Sequence, residues 1–221
     1  MTEERSACGL WDRPSMNVLK FAVAFTVLAS LGLAGCSTDL GGRVFSDNYA
    51  SVRDAGYQVP AVPLSKLPRQ YQRQIVKYQT DEKPGTIIVD TNAKHLHLVL
   101  EDGKAMRYGI GVGREGFEWK GTARIAMKRE WPRWTPPAAM IKRQPELAKW
   151  RGGQPGGLDN PLGARALYLF NSGGDTGYRL HGTPEWASIG HAMSSGCIRL
   201  INQDIIDLYN RAENGAKVIV L

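Results

Sequence analysis

The chain has 221 residues, 43% of them apolar, 9% aromatic and 22% charged, the profile of a globular protein with one sizeable domain, which excludes wholesale disorder and a multi-span membrane protein. Lys and Arg exceed Asp and Glu by 28 to 21, a net charge of +7 that favours an acidic partner. Three cysteines are too few for a disulfide framework.

Lys20 is followed by fifteen uncharged, mostly apolar residues, Phe21 to Gly35, too short a run to span a bilayer as a helix. The run ends in Leu33-Ala34-Gly35-Cys36, which resembles the lipobox of bacterial lipoproteins. Residues 1–36 therefore read as a signal peptide whose Cys36 becomes a lipid anchor and the first mature residue. Glu3, Glu4 and Asp12 suit an export signal poorly, which points to Met16 as the start. Residues 1–36 hold three basic and three acidic residues, so their removal leaves the charge at +7. An exported protein meets little nucleic acid, and the basic residues are scattered, so nucleic acid is not an expected partner. Cell-wall peptide carboxylates and lipid headgroups are. Ser37 is not the aspartate that commonly signals inner-membrane retention, which favours the outer membrane facing the periplasm.

Residues 37–83 are polar, with Pro60, Pro63 and Pro68. They read as a flexible tether, with Leu67 to Tyr78 able to form a short helix. Fully extended, 47 residues would reach about 150 Å. From residue 84 a period of two sets in: Thr86 to Asp90, Lys94 to Leu100 and Ala105 to Val112, the last two joined across Asp102-Gly103, a strong hairpin turn signal. Further strands are expected at Thr122 to Arg129, Ala166 to Phe170, Tyr178 to His181, Cys197 to Leu200 and Lys217 to Leu221. One helix is expected from Gln203 to Ala212, with Asn202 as N-cap, Asp204 suiting its positive end and Gly215 just beyond. Six of the twelve prolines lie between residues 130 and 165 with Trp131, Trp134 and Trp150, either a lid or a packed surface excursion.

Once Cys36 is acylated, Cys197 is the only thiol left in a protein sent to an oxidising compartment. It lies in Ser194-Ser195-Gly196-Cys197-Ile198-Arg199-Leu200, where strand alternation puts Cys197 and Arg199 on one face and Ile198 in the core. A free thiol is mostly protonated at neutral pH, so a nucleophilic Cys197 needs a base or a positive charge nearby. Of the four histidines, His95 and His97 share one face of the first hairpin, as exposed strand positions would. His191 could reach the site from a Gly-rich loop, and His181 ends a strand before the turn Gly182-Thr183-Pro184. The histidines show no ligand spacing, so no metal or other cofactor is expected.

His181-Gly182-Thr183, Ile189-Gly190 and the segment around Cys197 together closely resemble the signature of the L,D-transpeptidase catalytic domain, the YkuD or ErfK/YbiS/YcfS/YnhG family. Asn160-Pro161-Leu162-Gly163 adds to the likeness, which covers roughly residues 84–221. Ser195 departs from the histidine usual at that place in the motif, although an oxyanion hole made of backbone N–H groups would survive the change. The resemblance implies a mainly β, mixed-sheet sandwich or barrel-like domain with one short C-terminal helix. It also implies peptidoglycan stem peptides as substrate, Cys197 as nucleophile and His181 as general base. The oxyanion and substrate contacts would come from Ser194, Ser195, Gly196, Gly182 and Arg199. Arg199 would hold a substrate carboxylate or form a structural salt bridge. The acyl-enzyme would pass to a stem amine in a 3→3 crosslink, to water, or to an outer-membrane protein. A wall-binding module with a lapsed site is the alternative from another class, and a sortase-like enzyme is disfavoured by its much longer His-to-Cys spacing.

Overall fold

The computed structural model describes residues 49–114, 119–194 and 196–221. The signal, Cys36 and the start of the leader therefore lie outside the described residues, as does Ser195. Two left-handed residues, Asp102 (φ 58°) and Gly103 (φ 63°), turn the chain in the three-residue loop 101–103 between β5 (His95–Val99) and β6 (Lys104–Gly109), closed by the Leu100 N–H on the Lys104 carbonyl. β4 (Ile87–Asp90) pairs antiparallel with β5, and the last strand, β13 (Lys217–Val220), lies parallel to β4. Beyond β13 follow the antiparallel β8 (Gly121–Glu130), β9 (Arg165–Asn171) and β10 (Gly174–Thr183), and β12 (Ile198–Ile201) closes the row parallel to β10.

Register makes the core. Met106, Leu98, Ile87, Val218 and Ala123 stand side by side across five strands, and Leu167, Leu180 and Ile198 continue that face across three more. All are buried. Gly111, just past β6, exchanges two backbone hydrogen bonds with Arg199 of β12, at 2.9 and 2.8 Å. The two ends of the sheet thus approach each other, which makes it barrel-like. Helix α2 (Asn202–Arg211) buries Ile205 and Leu208 completely against this apolar face. Each such side chain contributes about 1.5–3 kcal/mol. Two short parallel strands, β7 (Val112–Gly113) and β11 (Ala192–Ser194), tie the segment before Cys197 to the end of the β6 hairpin.

Several expectations need correcting. Residues 49–83 are not a free tether: β3 (Gln74–Lys77) is the edge strand beside β6, and Tyr49, Val62 and Leu67 are buried with Ile189 and Ile201. A small hairpin of β1 (Val52–Asp54) and β2 (Tyr57–Val59) precedes it. Instead of a helix over residues 67–78 there are 3-10 turns at Leu64–Lys66 and Arg69–Tyr71, then β3. Pro68 breaks the run, and the main chain after it finds partners on β6. Asn202 is the first helical residue and not the N-cap; its Oδ1 accepts the Ala164 N–H at 2.9 Å. A second short helix, α1 (Ala138–Arg143), followed by a 3-10 segment, Pro145–Trp150, occupies the proline-rich excursion. Trp131 there is buried against Tyr57 and Val59, with its indole N–H on Asp54 at 2.8 Å.

Candidate active site

In the parallel pairing of β10 with β12, Leu180 stands opposite Ile198 and His181 opposite Arg199. Leu180, Ile198 and Leu200 enter the core, so His181 and Arg199 share the other face. Continuing the alternation one step back sets Arg179 opposite Cys197 on that same face. His181 and Cys197 thus occupy diagonal corners of a four-residue patch, with Arg179 and Arg199 at the other two.

His181 is 4% exposed, and its Nδ1 lies 2.6 Å from the carbonyl oxygen of Gly182. A carbonyl only accepts, so Nδ1 carries the proton and a neutral ring presents the lone pair of Nε2. Burial pushes the imidazole down to about 4, the Gly182 hydrogen bond opposing and the two arginines adding to the effect. The turn is held from behind. Gly182 has no room for a side chain, because a Cβ there would stand 2.3 Å from Asn202 Oδ1. The oxygen that forbids the Cβ fixes the start of β9 through Ala164.

Cys197 is a half-buried free thiol. Burial pushes it above the ordinary thiol range, opposed first by a hydrogen bond from the Arg179 backbone and then by the charges of Arg179 and Arg199. The loop before it is stapled by Ser194, whose hydroxyl donates to the Cys197 carbonyl at 2.6 Å and accepts the Gly196 N–H at 3.2 Å. One expected oxyanion donor is therefore engaged, by a long bond that a stronger acceptor can displace. Arg199 donates through Nη1 to Glu185 at 2.9 Å, the structural salt bridge that was one of its two expected roles.

The other histidines are elsewhere. His191 is exposed, and its carbonyl accepts the Val112 N–H. His97 is buried, contrary to the expected exposed position: Tyr78, from the leader, stacks on its ring at 4.3 Å between centroids. His95 is half-buried beside it, its Nε2 3.0 Å from the Gln70 carbonyl. Asn160, of Asn-Pro-Leu-Gly, is fully buried; its amide donates to the carbonyls of Pro132, Gln154 and Pro155 and so folds the proline-rich excursion onto the start of β9. Among the described residues no group of three or more His, Cys, Asp or Glu is placed to hold a metal ion. Arg179 was missed by the motif, although its position two residues before His181 is the same alternation that joins Cys197 to Arg199.

The model of the YkuD family, the L,D-transpeptidase catalytic domain, matches residues 84–220. A putative L,D-transpeptidase of Fuscovulum blasticum is 29% identical over 184 residues, 78% of this chain and 92% of that one. The probable L,D-transpeptidase YcfS of Escherichia coli is 37% identical over 118 residues, 52% of this chain but 36% of that protein, so the chain spans about a third of that relative. A solved structure from Brucella melitensis, described as a probable carnitine operon oxidoreductase, is 46% identical and covers 70% of this chain and 96% of that one, at a TM-score of 0.49. Residues 84–220, which carry the Cys197 and His181 patch, belong to the YkuD family of L,D-transpeptidase catalytic domains.

Proposed function

We propose that this chain is a peptidoglycan L,D-transpeptidase working through a Cys197 thioester. The observation that carries the reading is the shared face of His181 on β10 and Cys197 immediately before the parallel β12, with the His181 tautomer fixed by the Gly182 carbonyl. Nε2 of His181 takes the Sγ proton as sulfur attacks the carbonyl of the third stem residue, at its L-centre. The oxyanion is held by the N–H of Cys197 and by that of Gly196 once it leaves Ser194 Oγ. The C–N bond to D-alanine then breaks, and the leaving amine takes the proton back from His181. A stem side-chain amine attacks the thioester, gives up its proton through His181 and releases Cys197 as the thiol, leaving a 3→3 crosslink. Lipidation of Cys36 would hold the enzyme at a membrane, the outer one on the character of Ser37, with its active site in the periplasm.

Incubation with purified tetrapeptide muropeptides, read by mass, tests the reading. Crosslinked dimers are expected; tripeptides alone would make it an L,D-carboxypeptidase, and transfer only to an added protein amine would make it an attachment enzyme. Cys197→Ala should abolish every product. Unaltered tetrapeptide with the parent protein, together with binding to whole sacculi, would replace the enzyme with a wall-binding module.

A further inference from the structure

The two arginines of the patch are held from outside in the same way. Arg179 donates through Nη1 and Nη2 to Asp175 at 2.7 and 2.8 Å, and its guanidinium lies 4.3 Å over the Tyr168 ring. Arg199 donates to Glu185, whose side chain is 67% exposed, and its own Nε is buried without a hydrogen-bond partner among the described residues. Asp175 is exposed as well. Both carboxylates are therefore exchangeable partners on the solvent side of two cations that stay put. Both side chains project from the face that carries Cys197 and both charges act on the thiol, a coincidence that two independent structural ion pairs do not require.

We infer that Arg179 is a specificity residue which, with Arg199, frames Cys197 in positive charge and selects acyl donors bearing a carboxylate beside the scissile amide. A planar guanidinium suits this because it grips a carboxylate through two parallel hydrogen bonds. The incoming carboxylate exchanges with Asp175 or Glu185, so the count of ion pairs is unchanged and the donor is oriented over the sulfur. The substrate half of this inference rests on Cys197 being the acylated residue; the charge frame does not.

The test separates the two. Iodoacetate and iodoacetamide alkylate the same sulfur and differ by one negative charge, so their rate ratio reads the local field. A unit charge about 7 Å away in a watery cleft changes such a ratio about threefold. Arg179→Gln should lower the iodoacetate-to-iodoacetamide ratio about threefold, Arg179→Lys should keep it, and Asp175→Asn should raise it. On stem donors, Arg179→Gln should raise KM for the free carboxylate about tenfold relative to the amidated donor while kcat stays within about twofold, the loss of one carboxylate contact. An unchanged alkylation ratio in Arg179→Gln, or in Asp175→Asn should the first variant not fold, would overturn the charge frame. An equal loss on acid and amide donors would overturn the specificity role. A parent protein that is inactive on every stem donor, yet shows the shifts in alkylation ratio, would remove the transpeptidase reading and keep the frame.

Discussion

The proton that moves in the proposed reaction passes between groups that start far apart in acidity. The imidazole of His181 sits at about 4 because it is buried, and the Cys197 thiol lies above its ordinary range for the same reason. Neutral thiol beside neutral imidazole is then the resting form, and the thiolate arises only as the acyl donor is attacked. This differs from cysteine enzymes that keep a thiolate–imidazolium pair ready at neutral pH. Iodoacetamide alkylation of Cys197 should therefore climb steadily on the alkaline side, with no plateau between about pH 5 and 8. A plateau there would mean a preformed ion pair and a different role for His181. In the sequence, alternation supplies the face of Cys197, and the resemblance to the family motif supplies the choice of His181 over His191 as its partner. Neither supplies the acidity, because burial of His181 depends on Asn202, Ala164 and the start of β9, all remote in the chain. His97 shows the same limit: its strand position is plain in the sequence, but its cover, Tyr78, comes from a segment that reads as solvent-exposed.

At the scale of elements the leader is the instructive case. Residues 49–83 lack periodicity and carry several prolines, the composition of a linker, and yet they bind the body at separate points. The Tyr49 hydroxyl donates to the fully buried Asp204 at 2.9 Å and accepts the Arg73 N–H at 2.6 Å. Arg73 in turn reaches Asp207 at 3.0 Å. The ring of Tyr71 lies where a Cβ on Gly190 would stand 2.4 Å away, so the leader packs directly on the loop between His181 and Cys197. Tyr49→Phe removes one oxygen and leaves two buried groups short of a partner, at a cost of about 1–3 kcal/mol. The melting temperature should fall by roughly 5 °C in a single transition. An unchanged melting temperature would return residues 49–83 to the status of a tether. The hairpin β5–β6 was legible because its turn residues and alternation are local. The leader was not, since isolated apolar residues dock into contacts that only the finished sheet and α2 provide.

For the whole molecule, the buried His97, His181 and Asp204 weigh most on the dependence of stability on pH, and they do not act alike. His97 and His181 are both pushed down to about 4 in the folded chain, His97 by burial and then by His95 and Arg107. Below pH 6.5 the unfolded chain binds protons that these rings refuse, so their contribution is complete above 6.5 and is lost as pH falls through about 4. Over that interval each ring is worth up to about 3 kcal/mol at 1.36 kcal/mol per pH unit. Asp204 works in the other direction. Burial raises it to about 7 against the pull of Arg73, so it holds a proton that the unfolded chain has released, and its contribution disappears as pH rises from 3.8 through about 7. Two histidines outweigh one aspartate, so stability should climb from pH 4 to about 6.5 and then ease downward. Urea midpoints measured from pH 4 to 8 should show that maximum. His97→Gln should flatten the climb between pH 4 and 6.5 without touching the dyad, because the one remaining histidine then only balances Asp204, and Asp204→Asn should abolish the decline above 6.5. An acid-side slope that is the same in His97→Gln as in the parent would place the proton uptake elsewhere and remove the Tyr78-covered histidine from any part in holding the leader to the sheet.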